Sequence, residues 1–380
     1  MMDFSDMRPF NPEELPAAYD ELVADPAFRR VVAFAFPDVP FDHIEQAMRG
    51  CKTCMEFQAT FCKPFLKQIV ARHSTDLSGD FTAVSPIPER QNYTYISNHR
   101  DIVLDSGLLD LLLIEQGLST VEIAIGDNLL IYPWIKTLVR VNRSFIVTRS
   151  GGIHDILHAS RRLSAYMHYA TATKRVPVWI AQREGRSKDS TDETQESLLK
   201  MFVIAGEGTC KQRLAELNLT PLAISYEYDP CDYLKAQEYQ LRRDDPTWHK
   251  SQADDLLSMR TGIFGWKGHI HFQAAPCINA YLDTLPDDLP RAELITAVSR
   301  HIDSAIYRGY RLYPANYVAF DLLRNEESLT HHYTPAERDA FEAYLAGQLQ
   351  KVLLPHPDIP FLRHKMLEMY ANPAIHQLSL

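Results

Sequence analysis

Between residues 92 and 276 short apolar runs alternate with stretches of helical periodicity, and this alternation constrains the fold more than anything else in the chain. Residues 92–97, 120–125, 144–148, 176–181, 222–228 and 268–273 read as strands. Residues 102–117, 129–139 and 153–172 read as helices. Strand–helix–strand repetition favours parallel pairing with helical crossovers. The expected class is therefore α/β, with a largely parallel central sheet and helices on its faces. Residues 12–80 carry apolar positions at helical spacing over 27–36 and 41–73, interrupted by Pro37 and Pro40. Residues 77–90 are rich in Ser, Asp and Pro and read as a linker. Helical patterns return over 290–370 and give way to a polar tail. The division expected is an N-terminal helical region (1–80), an α/β catalytic domain (90–276) and a C-terminal helical extension packed on it (277–380).

At 380 residues, 46% apolar and 23% charged, the chain has the make-up of an ordinary globular enzyme. No uncharged apolar run reaches the roughly 18 residues that a membrane span requires. The first eleven residues carry acids and lack the apolar stretch of a secretory signal. The expected location is cytoplasmic, either free or peripheral on the inner face of the cell membrane. Six cysteines fit a reducing compartment. Cys51, Cys54 and Cys62 fall in what reads as one helix, and without a second ligand pair they read as free thiols on a buried face.

Charge is unevenly spread. From Lys136 to Lys188 there are eleven Lys/Arg against two acids, Asp155 and Glu184, a surplus of nine in a chain whose net charge is −10. A local positive field in an acidic protein fits a small anionic substrate or an anionic membrane surface, and not nucleic acid.

Two short stretches carry the chemistry. In the first, Asn98-His99-Arg100-Asp101-Ile102-Val103-Leu104-Asp105, a histidine ends an apolar strand with two carboxylates close behind. Catalytic groups collect at such strand ends in open α/β sheets. An imidazole whose other ring nitrogen donates to a carboxylate can take a proton from a hydroxyl. The second, Glu184-Gly185-Arg186-Ser187, follows the strand at 176–181. There a glycine lets an anion approach the backbone and an arginine offers a two-pronged clamp. Arg149, ending the strand at 144–148, projects at the same sheet edge.

Competing patterns are weaker. The His-Arg-Asp triplet has neither the glycine-rich loop before it nor the Asp-Phe-Gly after it that a kinase needs. His154 and His158 stand four apart with Asp155 between them, but no third zinc ligand is evident. There is no Gly-x-Ser-x-Gly elbow and no phosphate loop of the Gly-x-x-x-x-Gly-Lys type.

The blocks occur in an order that resembles the glycerolipid acyltransferases, the family of glycerol-3-phosphate and 1-acylglycerol-3-phosphate acyltransferases. After His99 and its acid come Gly126-Asp127-Asn128-Leu129 with Phe145-Ile146-Val147-Thr148-Arg149, then Glu184 to Ser187, then the Pro-containing strand Pro221-Leu222-Ala223-Ile224-Ser225-Tyr226. The resemblance covers residues 90–275. Two spacings depart from it: five residues rather than four separate His99 from Asp105, and the third block is one residue short. Either Asp105 or Asp101 is then the acid that orients His99.

The resemblance implies transfer of a fatty acyl group from an acyl-carrier-protein (acyl-ACP) or coenzyme A (acyl-CoA) thioester to a hydroxyl of glycerol 3-phosphate or a related phosphorylated acceptor, in phospholipid synthesis. It places His99 as the base. Arg186, with Arg149 and Arg140, would bind the acceptor phosphate, and Asp127, Asn128, Glu184, Gly185 and Ser187 would complete the acceptor site. No cofactor or metal is implied. The N-terminal helices would receive the acyl chain or rest on lipid. Lysophosphatidate and a lyso-aminolipid are alternative acceptors. More remote readings are a metal-dependent hydrolase using His154 and His158, and a non-catalytic lipid-binding protein.

Overall fold

The structure, a computed structural model, describes residues 2–87, 90–149 and 152–380. Its centre is a seven-stranded sheet of β1 (Asp76–Asp80), β2 (Thr94–Ser97), β3 (Glu122–Gly126), β4 (Ser144–Val147), β5 (Val178–Ala181), β6 (Leu219–Tyr226) and β7 (His269–Ala274). The spatial order is β1-β7-β6-β2-β5-β3-β4. Every neighbouring pair is parallel except β6 with β7. The chain is thus α/β with a mostly parallel sheet, flanking helices, and helical segments at both ends.

The strands form where the sequence is apolar and β-branched, and the pleat divides them between two cores. Ile96, Ile180 and Ala223 pack on one face with helices Ile153–His168 and Arg291–Gly309. Tyr95, Trp179, Leu222 and Ile224 pack on the other with helix Leu104–Glu115. Both faces of the sheet are covered, as a parallel sheet requires. The N-terminal helices gather around Tyr19, Leu22, Met48 and Phe57. The last helices gather around Phe341, Leu362, Met366 and Tyr370.

Several expectations need correction. The stretch expected as a linker begins as β1, an edge strand in parallel register with β7 from Asp76↔His269 to Asp80↔Gln273. Its residues, Asp-Leu-Ser-Gly-Asp, lack strand alternation, because an edge strand has little to bury. Residues 88 and 89 of that stretch lie outside the described residues. The three cysteines do not share a helix. Cys51 follows helix Phe41–Gly50, and a new helix starts at Cys54, capped by the Thr53 hydroxyl, which accepts from the Glu56 amide at 3.1 Å. That helix passes through a π-helical turn, Gln58–Cys62, into Lys63–His73. The polar tail is helical: Ile359–Leu378 continues through Pro373 and buries Ala371 and Ala374. Helices Glu196–Phe202, Cys210–Glu216, Asp232–Asp244 and Gln252–Phe264 fill stretches that carried no expectation of their own.

Candidate active site

Three consecutive residues leave the end of β2, and their side chains do different things. The buried Asn98 acts as a strand partner for β6: its amide donates to the Ile224 carbonyl at 2.9 Å and its oxygen accepts from the Ile224 N–H at 2.8 Å. Arg100, also buried, donates to the Ser190 hydroxyl at 2.6 Å and pairs with Asp192 at 2.7 Å. The second oxygen-bearing partner of Asp192 is the Tyr310 hydroxyl, which donates to it at 2.6 Å. His99 lies between these two anchors, and its ring lines a cavity of about 990 Å³.

The Nδ1 of His99 lies 2.8 Å from Asp105 Oδ2. That oxygen also accepts the backbone N–H of Arg100 at 2.7 Å and of Asp101 at 3.1 Å. Asp105 is 1% exposed and His99 14%. A fully acceptor-satisfied carboxylate at Nδ1 assigns the proton to that nitrogen and leaves Nε2 with a lone pair. The edge of the Trp179 ring system packs beside the imidazole, with centroids 5.9 Å apart. Asp101 does not bond His99. Its Oδ1 accepts the N–H groups of Val103 and Leu104, both at 2.8 Å, which caps the entry to helix Leu104–Glu115. Its other oxygen faces Gly262, where a Cβ would stand 1.9 Å away. Burial raises the Asp101 carboxyl above its ordinary range, and the nearby Asp105 adds to this.

Arg149 follows β4, and its backbone N–H donates to Asp127 at 3.1 Å. Its guanidinium stands 3.7 Å from Glu184, which is largely exposed. A Cβ on Gly126 would meet Asn128 Oδ1 at 2.5 Å and Arg149 Nε at 2.9 Å, so a larger residue there would displace these two side chains. Gly185 adopts φ +69°, the left-handed region. The Arg186 side chain that follows has a buried Nη1 without a hydrogen-bond partner, as does Nε of Arg183. Burial opposes the Arg186 charge, but Cys231, Asp101 and Asp229 around it outweigh this, and its pKa is raised. An unpartnered buried guanidinium N–H is costly unless something binds it.

The structure therefore brings His99, Asn128, Arg149, Glu184, Gly185 and Arg186 to one cavity, with Asp105 and Asp127 behind them. Two expected residues are used elsewhere. The Ser187 hydroxyl is buried and donates to Asp189 at 3.1 Å. Arg140 spends its guanidinium on the backbone carbonyls of Arg8 and Ser5 and lies over the Phe10 ring, 4.0 Å from its centroid. It fastens the N-terminal segment to helix Pro133–Val141 rather than facing the cavity. His154 and His158 lie exposed on helix Ile153–His168, and among the described residues no three potential ligands gather for a metal. The anchor Arg100–Asp192–Tyr310 had no signal in the sequence, since its members are far apart and only the folded chain brings them together.

The cavity has two unlike ends. His99 and the arginines occupy the carboxyl ends of β2, β4 and β5. The other end is walled by Ile44, Phe57, Phe61 and Leu66 of the N-terminal helices and by Trp134 and Leu138 of helix Pro133–Val141.

No family model matches this sequence, and no curated protein matches it either. The fold is similar to the crystal structure of the 1-acyl-sn-glycerophosphate (LPA) acyltransferase PlsC from Thermotoga maritima. That match covers 79% of this chain and 98% of the other, at 11% identity and a TM-score of 0.38. The chemistry rests on the side chains described above.

Proposed function

We propose that this protein is an acyltransferase that moves a fatty acyl group from an acyl-ACP or acyl-CoA thioester to a hydroxyl of glycerol 3-phosphate or a closely related phosphorylated acceptor. The observation that carries the reading is the placement of one histidine, held by a buried carboxylate, where an apolar cavity meets two arginines. His99 Nε2 takes the proton of the acceptor hydroxyl as its oxygen attacks the thioester carbonyl. Asp105 fixes the tautomer and stabilises the imidazolium. As the tetrahedral intermediate collapses, the C–S bond breaks and the imidazolium returns the proton to the leaving thiolate. The thioester is already activated, so no acyl-enzyme is required.

Arg186, with an N–H to spare, and Arg149 bind the acceptor phosphate, and the left-handed Gly185 lets it approach. The aromatic and aliphatic wall suits an acyl chain, each buried methylene of which contributes about 0.8 kcal/mol. A panel of phosphorylated acceptors with a radiolabelled acyl donor tests the reading. Label is expected in the acylated product of glycerol 3-phosphate. Label appearing only with lysophosphatidate or a lyso-aminolipid would move the assignment to that acceptor, and label in none would refute it.

A further inference from the structure

The same cavity is also lined by residues that the proposed chemistry does not use. Lys188, Arg242 and Lys250 line it together with Glu238 and Asp255. Their pairing is lopsided. One carboxylate oxygen, Oε1 of Glu238, takes both Lys188 Nζ at 3.1 Å and Arg242 Nη2 at 2.9 Å, while Lys250 pairs with Asp255. Three cations thus face two carboxylates, and two of the cations share a single oxygen atom. Glu238 is 9% exposed and Arg242 55%, so the buried acid presents its cations towards open space. The unpartnered N–H groups of Arg183 and Arg186 lie along the same wall.

We infer that this strip is a second anion subsite, one that binds the phosphate of the donor's phosphopantetheine arm. The inference rests on the acyltransferase reading for the identity of the ligand. The acceptor's phosphate is a few bonds from its reacting hydroxyl, so its clamp must stand close to His99. The donor's phosphate is a whole pantetheine arm away from the thioester and must be met further along the wall. A phosphate there completes the charge balance that Glu238 alone leaves unfilled. Acyl-CoA and acylated carrier protein share this arm, so either source suits the strip.

Calorimetric titration of the full chain with coenzyme A, with phosphopantetheinylated carrier protein, and with phosphate-free pantetheine tests the inference. Arg242→Ala is expected to weaken the phosphate-bearing ligand about three- to tenfold, the range for a partly exposed charge-assisted contact, and to leave pantetheine unchanged. Glu238→Gln, which releases both cations, is expected to tighten it, an outcome that a purely structural role for Glu238 would not give. Loss with the carrier protein alone would name it as the source, and loss with coenzyme A as well would name the arm itself. Equal affinity of wild type and Arg242→Ala for both phosphate-bearing ligands would overturn the subsite. In a transfer assay Arg242→Ala is expected to raise the donor KM and not the acceptor KM, and the reverse would overturn it. Absence of any acyl transfer, with coenzyme A binding still weakened by Arg242→Ala, would refute the acyltransferase reading and leave the subsite standing.

Discussion

Asp101 and Asp105 are chemically the same and are separated by their surroundings. Asp105 offers its oxygen to His99 and to two backbone amides, whereas Asp101 is spent on capping the next helix. Asp105→Asn is therefore expected to lower kcat by roughly 10²-fold or more, within the range of general-base effects. Asp101→Asn keeps the capping oxygen and is expected to hold kcat within about threefold. Steady-state kinetics on the two variants separates them, and the opposite ranking would mean that another acid orients His99. Arg186→Ala is expected to raise the KM for the phosphorylated acceptor by roughly ten- to a hundredfold, the worth of a charge-assisted hydrogen bond. Arg186→Lys should recover only part of this, since the ammonium keeps the charge but loses the fork. An unchanged acceptor KM would shift the anion site to Arg149.

At this scale much of the site was legible, because His99, Asp105, Gly185 and Arg186 announce their chemistry by residue type and by position after a strand. The choice between the two acids was not legible. It depends on the turn from Arg100 to Leu104, whose five residues still bring Asp105 back to the imidazole. The roles of Arg140 and Ser187 were equally hidden, because residue type does not reveal that a backbone carbonyl or a neighbouring acid already claims a side chain.

Among the elements, helix Leu104–Glu115 ties the site to the N-terminal helices. Its first turn supplies Asp105. Its middle supplies Asp110, which accepts from the Gln58 amide at 2.8 Å and from the Val121 N–H at 2.8 Å. Burial pushes the Asp110 carboxyl up from 3.8 to about 7. The folded state then holds a proton that the unfolded chain releases above its own lower pKa. The associated stability is fully present below roughly pH 4 and is lost as pH rises through about 7. Asp110→Asn is expected to lower Tm at every pH, because its amide would face that of Gln58, but to flatten the fall of Tm between roughly pH 4 and 7. Thermal melts across that range check this, and an unaltered slope would mean that Asp110 is ionised in the fold.

The interior strands were readable because β2, β5 and β6 hold short runs rich in aromatic and aliphatic residues. The edge strand β1 and the helices between Ser187 and Phe264 were not. β1 buries little, and the small helices take their order from tertiary packing rather than from a strong periodic stripe.

For the whole molecule, helix Pro26–Ala35 carries both a residue of the cavity wall and an exposed aromatic side chain. Val31, 45% exposed, lines the cavity, and Phe34, three residues on in helix Pro26–Ala35, is 69% exposed. No helix among the described residues is long and apolar enough to cross a membrane. We propose this helix, with Arg29 and Arg30 beside the exposed Phe34, as the surface that would meet lipid. Phe34→Glu is expected to reduce co-sedimentation of the full chain with anionic vesicles by about tenfold, the worth of one inserted aromatic side chain. Equal sedimentation would place the lipid-facing surface elsewhere.

The central claim concerns one proton: His99 removes it from the acceptor hydroxyl. The direct measurement is the rate of thiol release from an acyl thioester, with and without glycerol 3-phosphate, in wild type and in His99→Ala. Release is expected to depend on the acceptor in wild type and to fall by about 10²–10⁴ in the variant, with the Tm little changed because the ring already borders a cavity. Acceptor-dependent release at the wild-type rate in His99→Ala would contradict it.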